Sequence, residues 1–206
     1  RGQRFDVSGE GYGGAGKISV QGAESAAADM KALLLPLTLP LVACNDSRID
    51  AGRAIGDPTE AALLALAAKS GLDRDAALAA HPRIAEIPFD SAHKFMATFH
   101  RDGEQVRIFV KGAPDVLLAR CSRWLAAAGD APLDAAQTAL IHAEYEAMAT
   151  LGLRGLLIAS ATIEATVFSA QSDPAAWVKE LSFVGLIGLM DPPRPEAKQA
   201  IAQCLA

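Results

Sequence analysis

The sequence is short of the residues that announce a metal centre or a disulfide scaffold. Its three cysteines, Cys44, Cys121 and Cys204, stand far apart with no CxxC spacing. That excludes a disulfide framework and a structural zinc site, and makes a reducing compartment the expectation. The four histidines, His81, His93, His100 and His142, show no paired ligand spacing. No basic tract occurs, and a net charge of −5 argues against nucleic acid as the main partner. The longest apolar runs, LLLPLTLPLVA and LSFVGLIGLM, are too short to span a bilayer, and Pro36 and Pro40 interrupt the first. No signal peptide opens the chain, so the expectation is a soluble segment that meets a membrane only through a larger parent.

What is present is a globular composition, 51% hydrophobic against 21% charged over 206 residues. That is enough to bury a sizeable core in one large domain, or one domain plus a fragment of another. Residues 24–49 read as helical, with the prolines dividing them into two pieces. Asp57-Pro58-Thr59-Glu60 gives an N-cap, a proline at the first helical position and an acid at the third, ahead of a helix that stops at Gly71. A short helix is expected from Asp73 to His81, another from Pro114 to about Arg123, and a longer one from Leu133 to Leu151. The stretch around Gly129 reads as an exposed loop, LRGLLIASATI and LSFVGLIGLM as buried strands, and DPPRPEAKQAIAQCLA as a final helix. The predicted fold class is α/β, a mainly antiparallel sheet with helices packed on it.

The stretch GEGYGGAGKIS spells two nucleotide motifs at once, Gly9-x-Gly11-x-x-Gly14 and Gly11-x-x-x-x-Gly16-Lys17. Both require a buried strand before the glycines and a helix after them, whose amides hold phosphate. Here the preceding residues are polar, the following KISVQG alternates like a short strand, and Ile18 takes the place of the magnesium-binding hydroxyl. The reading is a glycine-rich hairpin.

A second hairpin carries more chemistry. KFMATFHR and EQVRIFVKG flank Asp102-Gly103, a two-residue turn signal. A turn centred there pairs Arg101 with Glu104, which puts Phe95, Ala97 and Phe99 on one face with Val106, Ile108 and Val110. The other face then holds Lys94 opposite Lys111, Met96 opposite Phe109 and Thr98 opposite Arg107. Like charges directly opposed are destabilising, so two lysines beside methionine and phenylalanine suggest a cavity wall awaiting an anion with an apolar portion. Solvated lysines that splay apart are the alternative. Pro88-Phe89-Asp90-Ser91, just before the first strand, adds an aromatic ring near that wall, and adenine with phosphates would suit ring and cations together.

IGDPTEAALL, IPFDSAHKFM, FVKGAPDVLLARC, LGLRGLLIA and MDPPRPEAKQAI, in that order, resemble the nucleotide-binding (N) domain of type II P-type ATPases, the calcium-pump and sodium/potassium-pump branch. The resemblance covers nearly the whole chain. It implies that Phe89 stacks on the adenine of ATP, delivered as Mg-ATP, and that Glu60 contacts the adenine amino edge. It also implies that Lys94 and Lys111 line the pocket, that Met96 supports the base and that Arg154 reaches the phosphate or ribose side. Glu60 could instead tie its carboxylate to the amide of Asp57, and Arg154 could pair with a surface acid. His93 stands where the family usually has arginine, which removes a fixed charge near the pocket mouth. Asp115 stands for the usual glutamate, a change expected to be silent.

The resemblance also implies domain limits: residues 1–190 as the ATP-binding domain, and 191–206 as the hinge and return into a phosphorylation domain. That domain and an actuator domain are the implied partners. The family's DKTGT, TGES and TGDG-type segments do not occur. With no positioned nucleophile, no catalytic residue and no metal ligand is assigned, and the chain alone is expected to bind ATP without turning it over. A nucleotide-independent interaction module of the same fold is the alternative from a different class.

Overall fold

The computed structural model describes residues 2–21, 27–169, 173–190 and 203–204. The glycine-rich stretch is a hairpin: β1 (Phe5–Val7) pairs antiparallel with β2 (Ile18–Val20). At its neck the two backbones touch, since a Cβ on Gly9 would lie 2.1 Å from the Ala15 carbonyl oxygen and one on Gly16 1.9 Å from that of Ser8. Only glycine permits that approach.

The first long helix differs from expectation. α1 (Ala27–Ala43) runs unbroken through Pro36 and Pro40 and ends at Ala43 rather than near Ile49. Each proline forfeits a backbone hydrogen bond, at a cost of about 3 kcal/mol in an exposed helix. Here Pro40, Leu39, Leu41 and Val42 are buried, so burial of the C-terminal half holds the helix together. The residues after it form a small hairpin absent from the sequence reading, β3 (Arg48–Asp50) with β4 (Arg53–Ile55). α2 (Pro58–Lys69) and α3 (Arg74–Ala80) follow as expected, capped by Asp57 and Asp73.

Seven strands make the central sheet. They are β5 (Arg83–Asp90), β6 (Phe95–Asp102), β7 (Gln105–Gly112), β8 (Cys121–Ala126), β9 (Gly129–Pro132), β10 (Arg154–Glu164) and β11 (Leu181–Leu189). Their order is β5-β6-β7-β10-β11-β8-β9, antiparallel throughout except for the parallel β8–β11 pair. β5 takes in the Pro88-Phe89 segment, expected only as a lead-in to the first hairpin strand. The helix expected up to Arg123 is only α4 (Pro114–Leu117) and a 3-10 turn over Leu118–Arg120, because Cys121 turns extended to pair with β11. The loop expected around Gly129 is the β8–β9 hairpin. α5 (Ala135–Thr150) is the predicted long helix. The helix and hinge expected over 191–206 fall outside the described residues, except Gln203 and Cys204, which are helical.

Helices cover both faces. On one, Phe95, Ala97, Phe99, Val106, Ile108 and Val110 pack with Leu117 of α4 and Ile141 of α5. On the other, Leu41, Val42, Leu63 and Leu64 of α1 and α2 lie on Ile158 and Ile187, and Leu39, Ala43 and Cys44 cover Met96 and Phe109. That is an α/β architecture with a mainly antiparallel sheet.

Two polar side chains, Thr98 and His100, lie deep in β6. His100 is fully buried, with Nδ1 2.8 Å from the His81 carbonyl oxygen and Nε2 2.9 Å from Thr98 Oγ1. Loss of hydration lowers its pKa to about 4. Between about pH 6.5 and 4 the unfolded chain binds a proton that the folded chain refuses, so stability is full above this window and is lost as pH falls through it. From pH 7 to pH 5 the loss from this residue is about 2 kcal/mol. Urea unfolding at the two pH values should show it, and His100→Gln should shrink the pH-dependent part of the loss.

Candidate functional site

The predicted hairpin register needs correction. The turn lies at Gly103-Glu104, one residue later than expected, with Asp102 paired to Gln105. Each pair therefore slides while each residue keeps its face, because the pairing sum changes by an even number. Lys111 stands opposite Met96, and Lys94 precedes the strand altogether. The two lysines do not oppose each other, and the inferred charge clash is absent. Nor is that face an open wall at Met96 and Phe109, since the end of α1 covers both.

Phe89 owes its position to a bulge. Ile87 pairs with Ala97 and Asp90 with Phe95, so Pro88 and Phe89 together face Met96. Such an extra residue bends the strand and re-aims its side chain. The Phe89 ring is 63% exposed, where β5 otherwise directs Ile84 and Ile87 toward the core. A tight turn follows. Asp90 Oδ1 accepts from the Ala92 amide at 2.6 Å and the Asp90 carbonyl from the Lys94 amide at 2.7 Å, leaving Lys94 at φ +57°. The left-handed region is uncommon for lysine. It lets the Lys94 carbonyl meet the Ala113 amide at 3.0 Å, and a Cβ on Gly112 would stand 2.5 Å from that carbonyl oxygen. The Lys94 ammonium, half exposed, lies 3.4 Å from Asp115 Oδ2, and His93 Nδ1 lies 3.8 Å from Asp90 Oδ1.

Glu60 and Lys111 form a buried ion pair, Lys111 Nζ against Glu60 Oε1. Lys111 also donates to the Cys44 carbonyl at 2.5 Å. The second oxygen of Glu60 accepts from the Asp46 amide at 2.9 Å and from Ser47 Oγ at 3.2 Å. The capping arrangement is thus only half reciprocal: Asp57 Oδ1 caps the Glu60 amide at 3.0 Å, but the Glu60 carboxylate turns to the loop after α1. Arg154, at the start of β10, donates to Thr59 Oγ1 at 3.2 Å, one residue before Glu60.

Sequence reasoning missed Arg83. Its guanidinium bridges Asp46 and Glu86 at 2.7 Å each and donates to the Ala43 and Asn45 carbonyls at 3.0 and 2.9 Å. It therefore holds the loop that presents the Asp46 amide to Glu60. Those carboxylates raise its pKa against the opposing effect of burial. No local pattern marks it, because its partners come from the end of α1 and the following loop.

The predicted residues are thus connected, but not alike. Lys111 stands beside the buried Met96 and pairs with the partly buried Glu60, Arg154 reaches that helix turn through Thr59, Phe89 sits across the bulge from Met96, and Lys94 stands at the strand's mouth. Among the described residues no group of three His, Cys, Asp or Glu could hold a metal ion. The exposed ring and ammonium suit binding of a flat, anionic ligand rather than bond-making.

Residues 36–196 match the family described as P-type ATPase, cytoplasmic domain N. The chain belongs to that family. Domain N here is 37% identical over 211 residues to the cation-transporting ATPase pma1 of Synechocystis, covering 98% of this chain and 23% of the relative. It is 34% identical over 208 residues to a calcium-transporting ATPase of Bacillus subtilis, again covering 98% of this chain and 23% of the relative. A calcium-transporting ATPase 1 of Bacillus cereus is 36% identical over 176 residues, 85% of this chain and 19% of the relative. The chain thus spans about a quarter of the length of these curated relatives. No helix among the described residues of domain N is long and apolar enough to cross a membrane.

Breaking the buried pair from one side strands a charge, which costs about 3–5 kcal/mol. Lys111→Met should lose that much stability by urea unfolding. The double substitution Lys111→Met with Glu60→Gln should recover part of it.

Proposed function

We propose that this chain is the ATP grip of a cation-transporting P-type ATPase of the type II branch. In this reading it holds the adenine of Mg-ATP and presents the γ-phosphate to the catalytic aspartate of a separate phosphorylation domain. The observation that carries the reading is the bulge at Pro88-Phe89, which lifts an aromatic ring out of the sheet beside the Lys94 turn, inside the segment that matches domain N. Stacking on such a ring contributes about 1–3 kcal/mol per base.

The side chains divide the work. Phe89 takes the face of the base and Lys94 faces the phosphates as a half-exposed cation. Glu60, fixed by Lys111, Asp46 and Ser47, offers the acceptor for the adenine amino edge, while Met96 supports the floor from the core. Arg154, beside Thr59, reaches the phosphate or ribose side. Magnesium arrives with the nucleotide and supplies charge neutralisation at the phosphates. Residues 1–190 would act as the grip and 191–206 as the return to the phosphorylation domain, with hinges before Phe5 and around Asp191 allowing the swing. An actuator domain completes the parent, whose domain N faces the cytoplasm. Binding energy on the base serves positioning, and the chain alone, without a DKTGT aspartate, binds without turnover.

One observation favours a second reading. Glu60 and Lys111 satisfy each other inside the protein, as they would in a nucleotide-independent interaction module.

Amide chemical shifts during an ATP titration separate the two. Saturable shifts at Glu60, Phe89, Lys94 and Arg154, stronger with ATP than with GTP, are expected. Phe89→Ala should weaken ATP about ten- to a hundredfold, the loss of one stacking contact. Unchanged affinity in that variant, or no shifts at millimolar ATP, would overturn the grip and leave the interaction module.

A further inference from the structure

The glycine-rich hairpin does not hold a nucleotide in the manner of the motifs it spells, yet it roofs a cavity of about 290 Å³. The floor is apolar: Val42 of α1, Leu64 and Ala67 of α2, Ile49 of β3 and Leu72. The rim carries Tyr12 and two guanidinium groups, Arg48 and Arg74. None of the residues assigned to ATP lines it. We propose that this cavity is a second site, for a small organic oxyanion with an apolar body.

Three features converge on that chemistry. The Arg74 side chain is partly exposed at the rim, and its Nε, covered from solvent, has no hydrogen-bond partner among the described residues. The outer guanidinium nitrogens, a planar fork of donors, are the ones an anionic oxygen at the rim would meet. The acid paired with Arg74 is its chain neighbour Asp75, at 3.5 Å and 93% exposed, which leaves the guanidinium's charge largely unspent. Arg48, alongside, adds a second cation with no ion pair among the described residues. Between them the floor offers aliphatic side chains and no acid, so the body of the ligand should be uncharged and apolar. The volume sits at the small end of ligand pockets, about 300 Å³, which suits a single fused ring system.

The roof is held in place rather than loose. Lys69 Nζ donates to the Ser8 carbonyl at 2.8 Å and lies 3.4 Å from that of Gly9, and Tyr12 Oη reaches the Pro58 carbonyl at 3.4 Å. Both anchors come from α2 and its first turn. The closed neck at Gly9 and Gly16 fixes the loop's base, while Gly13 and Gly14 border the cavity with nothing within 4 Å of a side chain placed there. The loop therefore forms a wall with a way in, built on the helix that also presents Glu60.

The test uses this chain and three probes followed by amide shifts: 2-naphthoate, 2-naphthyl phosphate and the neutral 2-naphthamide. The two anions should give saturable shifts at Tyr12, Gly13, Gly14, Ile49 and Ala68, at least tenfold tighter than the amide. Whichever anion binds tighter identifies carboxylate or phosphate as the natural head group. Arg74→Gln should weaken the tighter anion at least tenfold with an unchanged melting temperature. If that variant does not fold, Arg48→Gln should show the same loss. Equal binding of the amide, no saturation by 10 mM, or shifts confined to Phe89 and Lys94 would overturn the site. ATP shifts at Phe89 report separately on the nucleotide reading, so either can fail alone.

Discussion

The ion pair between Lys111 and Glu60 joins three parts of the fold that share no chain neighbours. Lys111 comes from the middle of the sheet, Glu60 from the first turn of α2, and their remaining bonds go to Cys44, Asp46 and Ser47 just after α1. Two charges taken out of water cost several kcal/mol each, so the pair persists only because further bonds complete it. Asn45 adds to the same junction, donating to the Leu41 and Glu60 carbonyls at 3.0 Å each. A single polar knot thus sets how α1 and α2 sit on the sheet. The orientation of α1 in turn decides which side chains of the β6–β7 hairpin are covered.

That dependence explains the unequal legibility of the site. The hairpin, α2 with its cap, α5 and the two apolar strands are written in local signals, namely a turn dipeptide, a capping residue and periodicity. The face assignment of every hairpin residue was also readable, because parity survives a shifted turn. Its exposure was not. Met96 and Lys111 became interior residues when α1 closed over them, and α1 continued through two prolines because burial outweighed the lost hydrogen bonds. β8 and β9 escaped for the same reason, since pairing with β11, far along the chain, turns Cys121–Ala126 into strand. The bulge at Phe89 and the clamp at Arg83 depend on partners that no short window contains.

The proposed site is stiff on one side and open on the other. Its stiff side is the Lys111–Glu60 pair, tied to the sheet and to two helices, with Met96 covered beneath α1. Its accessible elements are the Phe89 ring and the Lys94 ammonium, both placed by backbone irregularities, one a bulge and one a left-handed residue. Fixing such groups before a ligand arrives reduces the ordering cost of binding. The departure at His93 belongs to this mouth. Its imidazole lies near Asp90, which itself holds the turn, so the side chain at 93 touches the element that sets the geometry of Lys94.

Phe89 also lies on β5, the outermost strand on that side of the sheet. A solvent-facing aromatic on an edge strand invites a second molecule to add its own strand and begin a fibril or precipitate. Pro88 immediately precedes the ring and has no amide hydrogen to offer an incoming chain. The bulge twists this part of the border away from flatness, and Arg83, Glu86 and Asp90 distribute charge along it. The irregularity that exposes the ring therefore also makes the strand a poor template for others while it displays a large apolar group.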